Sequence, residues 1–236
     1  MKYLFYLSFL FVFFSCSSRE PKRFPVVKYA GAMRNVTENQ DTTNHIYLDT
    51  INPHRRLYGL GPLQGMTGEI LIIDGRPYAS KINAKGRNRV RQTFEARSPY
   101  FVYAHVKAWD PAELPEDSIL DNRKLGMYLE ELAKERGIDV EKPFPFMLQG
   151  EFRKMKYHVS YMPKKKKKHM PPEFFTEENA DVIIIGFFSK HHQGVFTEPG
   201  SNVVMSFMTT SASHIGQIDQ LTLKGKRVQL LLPEFP

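Results

Sequence analysis

Residues 194–223 read GVFTEPGSNVVMSFMTTSASHIGQIDQLTL, with two apolar runs on either side of a short polar segment. The runs at residues 201–208 and 217–223 are rich in branched and aromatic side chains and predict two strands joined by a polar loop. Successive side chains of a strand point to opposite faces, so Val204 and Ser206 share one face. The stretch therefore predicts adjacent strands of a sheet, with polar residues next to apolar ones on that face.

The rest of the chain extends this strand-rich pattern. Asp74-Gly75 is a strong turn signal between residues 69–73 and 76–80, which predicts a hairpin. Residues 181–189 are apolar throughout, as expected of a strand buried on both faces. Further strands are predicted at residues 99–106, 144–149, 155–161 and 228–232, with a turn at Gly150 and a loop at residues 109–115.

Residues 121–136 are the main predicted helix. Leu125, Tyr128, Leu129 and Leu132 recur at helical spacing and indicate a face that packs on the core. Asp121 or Asn122 suits the N-cap, and Gly137 suits the end of the helix. The chain is thus predicted to be strand-dominated, with one or two helices and no linker that separates domains.

The N-terminus resembles a bacterial lipoprotein signal. Residues 3–14 form an apolar run that follows Met1-Lys2 and has the length of a signal-peptide core. Ser15-Cys16 comes next, and Cys16 is the single cysteine of the chain. We therefore interpret residues 1–16 as a signal peptide with a lipobox, 17–25 as a tether and 26–236 as the folded domain. Lipid on Cys16 would place the protein in the cell envelope, at the outer membrane or the periplasmic face; the alternative is a plain signal peptide with a chance cysteine.

The net charge of +8 does not indicate nucleic-acid binding. Five consecutive lysines, residues 164–168, account for much of it, and they lie between prolines in a predicted loop. No aromatic residues alternate with these lysines, and no nucleic-acid-binding signature accompanies them. The pattern favours a solvated loop, and we expect no nucleic-acid partner.

Residues 194–223 resemble the segment of the alpha-acetolactate decarboxylases that holds zinc through His-x-His and a later Gly-His. Other matches to that family, in order and spacing, are Gly59-Leu60-Gly61, Gly68-Glu69, Asp74-Gly75, Pro99-Tyr100-Phe101, Gly216 and Asp219. The resemblance covers residues 26–233. It implies an α+β, strand-dominated fold of two packed mixed or antiparallel sheets with one main helix, and it is compatible with a homodimer.

The resemblance also implies an activity, the decarboxylation of acetolactate to acetoin, in which zinc acts as a Lewis acid. Carried over by position, the family's catalytic glutamate falls on Glu69. The family's arginine falls near Tyr157-His158, where this chain has no arginine, so His158 is assigned to that place. A further glutamate of the family has a match in Glu234. The alternative for Glu69 is an exposed carboxylate at the start of a strand.

The three zinc-ligand positions of the family hold Val204, Ser206 and Gln217 in this chain. Valine has no donor atom, serine is a poor zinc ligand and the glutamine carbonyl is weak, whereas zinc prefers nitrogen or sulfur donors. We therefore expect no metal at these positions and no cofactor. His192 and His214, together with His158, form a candidate displaced metal site, and the alternative is that they are surface or loop histidines.

Three hypotheses follow from the sequence. The first is a lipid-anchored family member that has lost zinc and binds a small polar or carboxylate ligand, or a partner protein, without catalysis. The second is an active lyase that forms acetoin with zinc in a rearranged metal site. The third is an unrelated β-rich surface lipoprotein. Whether the chain is an enzyme is left open by its sequence.

Overall fold

The computed structural model describes residues 25–83, 85, 87–115, 118–162 and 174–234. Strands dominate this part of the chain. Its strands are β1 (Lys28–Ala30), β2 (Ile46–Tyr47), β3 (Leu57–Pro62), β4 (Glu69–Ile73), β5 (Arg76–Ile82), β6 (Asn88–Gln92), β7 (Arg97–Ser98), β8 (Phe101–His105), β9 (Trp109–Ala112), β10 (Ile119–Asp121), β11 (Phe144–His158), β12 (Phe175–Phe188), β13 (Val203–Thr209), β14 (Ile215–Thr222) and β15 (Val228–Pro233). Its α-helices are α1 (Met33–Asn39) and α2 (Asn122–Glu135).

Two antiparallel sheets contain most of the strands. The six-stranded sheet has the order β1-β8-β3-β4-β5-β6, and the seven-stranded sheet has the order β10-β14-β13-β12-β11-β15-β9. Strand β14 pairs with β13 on one side and with β11 on the other, so the seven-stranded sheet closes on itself. Strands β2 and β7 form a small separate pair. The predicted α+β fold of two packed sheets is confirmed.

Two apolar layers result from this arrangement. The inner face of the closed sheet packs against α2, and its buried side chains include Met205, Phe207 and Ile218. The outer face packs against the six-stranded sheet, with Ile185 and Val204 among the buried side chains there. Since side chains alternate along a strand, each of β12, β13 and β14 contributes to both layers. The prediction that the strand at residues 181–189 is buried on both faces is confirmed.

The predicted main helix is present as α2. The Asp121 carboxylate caps it by accepting a hydrogen bond of 2.8 Å from the backbone N–H of Lys124. Leu125 and Leu129 are fully buried against the inner face of the closed sheet, as the apolar stripe predicts.

Two local predictions are wrong. Gly150 does not end a strand, because β11 continues through it from Phe144 to His158. Its φ is +130°, and a Cβ there would lie 2.0 Å from the carbonyl oxygen of Arg227, so glycine permits β15 to approach closely. The predicted loop at residues 109–115 contains the edge strand β9, where Pro111 is tolerated because an edge strand has an unpaired side.

Candidate functional site between the two sheets

Three polar side chains form a row across the outer face of the closed sheet. Ser206 on β13 lies directly opposite Gln217 on β14, and Gln217 lies directly opposite His158 on β11. Their chain neighbours Phe207, Ile218 and Tyr157 belong to the inner apolar layer. The alternation of side chains therefore places Ser206, Gln217 and His158 together on the face that meets the six-stranded sheet.

Glu69 reaches this row from the facing sheet. Its side chain is 1% exposed, and Oε1 accepts a hydrogen bond of 2.7 Å from the backbone N–H of Ser160, two residues after His158. Burial raises the pKa of Glu69 to about 7, against the lowering effect of the hydrogen bonds from Ser160 and the charge of His158. The alternative of an exposed strand-start carboxylate is therefore wrong.

His158 is held by a carboxylate. Its Nδ1 lies 2.9 Å from Oδ1 of Asp219, which is on the same face of β14 as Gln217. Burial alone would lower the pKa of His158, but the hydrogen bond and charge of Asp219, with the charges of Glu69 and Glu198, raise it above its ordinary value. The second carboxylate oxygen of Asp219, Oδ2, is buried without a hydrogen-bond partner.

Glu198 and Tyr100 complete the set, and neither was predicted as a site residue. Glu198 Oε1 accepts a hydrogen bond of 3.2 Å from the Gln217 amide. Tyr100 is buried, and burial followed by the charges of Glu69 and Glu198 raises the pKa of its hydroxyl. Their sequence signals were weak: Tyr100 belongs to the Pro-Tyr-Phe pattern, and Glu198 stands in the stretch before β13, where no periodicity indicates its orientation.

Ser206 and Val204 share the outer face but have different surroundings. Val204 is buried in the apolar layer between the sheets. Ser206 is 1% exposed, and its Oγ has no hydrogen-bond partner. A buried hydroxyl without a partner is uncommon in native proteins and calls for a physical explanation.

The candidate histidines for a displaced metal site have separate partners. His214 Nδ1 lies 2.9 Å from Glu177 Oε1, and His192 Nδ1 lies 2.7 Å from the Ser189 hydroxyl while its ring stacks on Phe196. His158 pairs with Asp219 as described. Across the described ranges, no three His, Cys, Asp or Glu side chains are grouped so that they could hold a metal ion. The structure therefore does not bring His158, His192 and His214 together.

The remaining predicted residues lie away from this set or outside the description. Glu234 is exposed at the end of β15, and its backbone N–H donates to the carbonyl of Ala108, beside the edge strand β9. Cys16 and the lysines at 164–168 lie outside the described residues.

A zinc ion does not fit the residues at the three expected positions. Val204 offers no donor atom, and Gln217 offers only its carboxamide oxygen, a weak ligand, while its amide nitrogen donates to Glu198. Ser206 offers a hydroxyl, which is a poor zinc ligand compared with imidazole or thiolate. The geometry of a His-x-His strand is retained in β13, but the donor chemistry is absent from these positions.

The fold and the site define an α+β protein of two packed antiparallel sheets with a buried polar site where the sheets meet. The family model for alpha-acetolactate decarboxylase matches residues 42–231, and the chain belongs to that family. No curated protein matches the chain.

Solved structures have the same fold. Acetolactate decarboxylase from Bacillus subtilis subspecies spizizenii superposes with a TM-score of 0.66 at 14% identity, covering 88% of this chain and 85% of that one. A Staphylococcus aureus protein of unknown function, similar to alpha-acetolactate decarboxylase, gives a TM-score of 0.63 at 15% identity, covering 89% of this chain and 86% of that one.

Proposed function

We propose that this protein is a family member without the zinc-dependent decarboxylase activity, and that it binds a small polar molecule at the site between the sheets. The observation that carries the proposal is the replacement of the imidazole donors by Val204, Ser206 and Gln217 beside a buried polar set. A Lewis acid cannot be held there by nitrogen ligands, so the enediolate that forms when carbon dioxide leaves would lack its counter-charge.

The buried polar groups support a binding role. Ser206 Oγ and Asp219 Oδ2 are both buried without partners, and such groups destabilise a folded protein unless a ligand or another group satisfies them. A site that only stabilised the fold would be better filled with apolar side chains, as at Val204. The retained polar groups therefore favour a bound molecule with hydrogen-bonding groups.

An active lyase with a rearranged metal site is the second candidate. Family membership favours it, and so does Glu69, since a buried carboxyl with a pKa of about 7 can take up or release a proton near neutral pH. The separate partners of His158, His192 and His214 weigh against a rearranged zinc site.

Zinc content and turnover separate the two candidates. We expect the purified chain to contain no stoichiometric zinc and to form no acetoin from acetolactate above the spontaneous rate. Stoichiometric zinc together with turnover in the unaltered chain would overturn the proposal and support the active lyase.

Restoring the imidazoles tests the site directly. In the triple variant Val204→His, Ser206→His and Gln217→His, the two β13 histidines share one face and the β14 histidine lies opposite the second of them. We expect the triple variant to bind zinc, because three histidines form a common zinc site. The triple variant Val204→Ala, Ser206→Ala and Gln217→Ala is the matched control. If the histidine variant folds and binds no more zinc than the alanine variant, the assignment of these positions is wrong.

We further propose that lipid on Cys16 anchors the domain in the cell envelope. The sequence of residues 1–18 supports this proposal. As a separate finding, no helix in the described ranges is long and apolar enough to cross a membrane. We expect labelled fatty acid to be incorporated into the chain in bacterial cells and to be lost in Cys16→Ser. Equal labelling of the variant would contradict the anchor.

A further inference from the structure

The charged groups at the site between the sheets do not balance. Glu69, Glu198 and Asp219 supply three carboxyl groups, and His158 supplies the imidazole on which all three act. The carboxylate of Asp219 already holds Nδ1 of that imidazole. Even with His158 charged and Glu69 protonated, the carboxylates of Glu198 and Asp219 outnumber the single imidazolium.

Lysine and arginine do not correct this imbalance within the part of the chain that the structure describes. The charged groups that shift the pKa values of Glu69, Tyr100 and His158 are the carboxyl groups and the imidazole just named. Lys156 precedes His158 by two residues on β11, but its Nζ lies 3.7 Å from the centre of the Phe174 ring. Among the described residues, carboxyl groups therefore outnumber cationic groups at this site.

Ser206 gives an independent indication that a molecule binds here. Its hydroxyl is buried and unpartnered, and the strand register places it beside Gln217, whose amide contacts Glu198. Asp219 Oδ2, also buried and unpartnered, is an acceptor when Asp219 is ionised. The Ser206 hydroxyl can donate or accept, so it could bind either kind of ligand group. Hydroxyl or ammonium hydrogens of a ligand would satisfy Asp219 Oδ2, whereas the oxygens of a carboxylate would not.

We infer that the site takes a small molecule that carries no negative charge and offers hydroxyl or ammonium donors, and that it rejects carboxylates. The inference rests on the proposed function and specifies its ligand class. A carboxylate in this site would face Glu198 and Asp219 in surroundings where burial weakens solvent screening, so repulsion would oppose binding. Acetolactate itself carries a carboxylate, so the class inferred here differs from the family's substrate.

Three probes of one carbon skeleton test the charge preference. They are a vicinal butanediol, the amino alcohol in which an ammonium replaces one hydroxyl, and the diol with a carboxylate added on a hydroxyl-bearing carbon. By chemical-shift titration of the purified chain, we expect the diol and the amino alcohol to bind at least about tenfold more tightly than the carboxylate, which differs from the diol by one unit charge and from the amino alcohol by two. Equal or tighter binding of the carboxylate, or no binding of any probe, would overturn the inference.

Variants assign the preference to these residues. Glu198→Gln with Asp219→Asn removes the negative charge and nearly keeps the shape, so the tenfold discrimination should vanish. Asp110→Asn removes an exposed carboxylate that pairs with Arg136 at the edge strand β9, and it should leave discrimination unchanged. A double variant that is folded, as judged by its unfolding curve, and still rejects the carboxylate would overturn the assignment.

Ser206→Leu locates the probes within the site. A leucine at this position would replace the polar hydroxyl with a larger apolar side chain next to Gln217, which lies opposite in the strand register, so binding of the diol should be lost. Undiminished diol binding in a folded Ser206→Leu protein would place the probe elsewhere and overturn the inference. Failure of the proposed function can be told apart from failure of this inference. Zinc-dependent turnover would overturn the proposed function, whereas a zinc-free preference for carboxylates would overturn only the ligand class.

Discussion

The two faces of β13 and β14 differ in what they do for the molecule. The inner face carries Met205, Phe207 and Ile218, which are fully buried in the layer that packs against α2. The outer face carries Ser206, Gln217 and Asp219, which contact charged groups or have unpartnered polar atoms. The inner face is therefore apolar at these positions, whereas the outer face combines apolar packing at Val204 with polar residues. We expect substitutions of the polar residues to disturb the fold less than substitutions on the inner face.

The largest effect is expected on the inner face. Phe207→Ala removes a ring whose centre lies 4.7 Å from that of Tyr157, edge to face, and leaves a cavity. We expect the free energy of unfolding to fall by about 3–5 kcal/mol, as for other buried aromatic truncations. Denaturant unfolding measures this.

The matched outer-face change is Gln217→Ala. It removes one hydrogen bond of 3.2 Å to Glu198, and we expect a loss of about 1 kcal/mol. If Gln217→Ala were as destabilising as Phe207→Ala, the polar residues of the outer face would contribute as much to stability as the apolar residues of the inner face.

The next effect concerns the pH dependence that Glu69 imposes. Its pKa rises from 4.5 to about 7 on folding, so the folded state retains a proton that the unfolded state releases, and stability is lost as pH rises between these values. Glu69→Gln keeps a side-chain oxygen for Ser160 and cannot ionise. We expect the variant to exceed the unaltered chain by about 3 kcal/mol in unfolding free energy at pH 8, and to match it near pH 4.

The control for Glu69→Gln is Glu178→Gln, because Glu178 is exposed and pairs with Lys154. That exposed change should alter the pH profile little. Unfolding curves of Glu69→Gln that ran parallel to those of the unaltered chain from pH 4 to pH 8 would contradict a buried, proton-retaining Glu69.

A smaller effect is expected from the pair of His158 and Asp219. The pKa of His158 is raised on folding, so its stabilising contribution is present below its ordinary value and is lost as pH rises through the folded value. Asp219→Asn should lower the pKa of His158, as measured by imidazole NMR titration. The loss in free energy of unfolding caused by Asp219→Asn should be about 1 kcal/mol larger at pH 5.5 than at pH 9.

The exposed pair of His191 and Glu141 provides the comparison for that prediction. Both side chains are 58% exposed, so Glu141→Gln should change stability little at either pH. A His158 pKa that did not change in Asp219→Asn would show that the carboxylate does not control the imidazole.

The fold was readable from the sequence where local signals were strong. Asp74-Gly75 predicted the hairpin of β4 and β5, and the apolar stripe predicted α2. Gly150 was misread because its role depends on the approach of β15, a strand far along the chain. A sequence pattern describes local conformation and cannot show which distant backbone passes nearby.

The site was only partly readable, for the same reason. Period-two alternation correctly placed Val204 and Ser206 on one face, and the family resemblance indicated Glu69. The partners of these residues come from other strands: Ser160 binds Glu69, and Asp219 binds His158. Glu198 contacts Gln217 across a separation of 19 residues, which no local period encodes. Only the register of β11, β13 and β14 reveals the polar row.

The smallest expected effect has the opposite sign to most core substitutions. Ser206→Ala deletes a buried hydroxyl that has no partner, so the desolvation penalty disappears and stability should rise by about 1 kcal/mol. Ser98 is the matched control, because it is also fully buried but its Oγ lies 2.6 Å from the carbonyl oxygens of Pro62 and Tyr100. Ser98→Ala should therefore lower stability by about 1 kcal/mol, since it leaves buried acceptors unsatisfied. Thermal unfolding of both variants without ligand measures the difference. Equal losses would mean that the Ser206 hydroxyl has a hydrogen-bond partner in the free protein and is not available to a ligand.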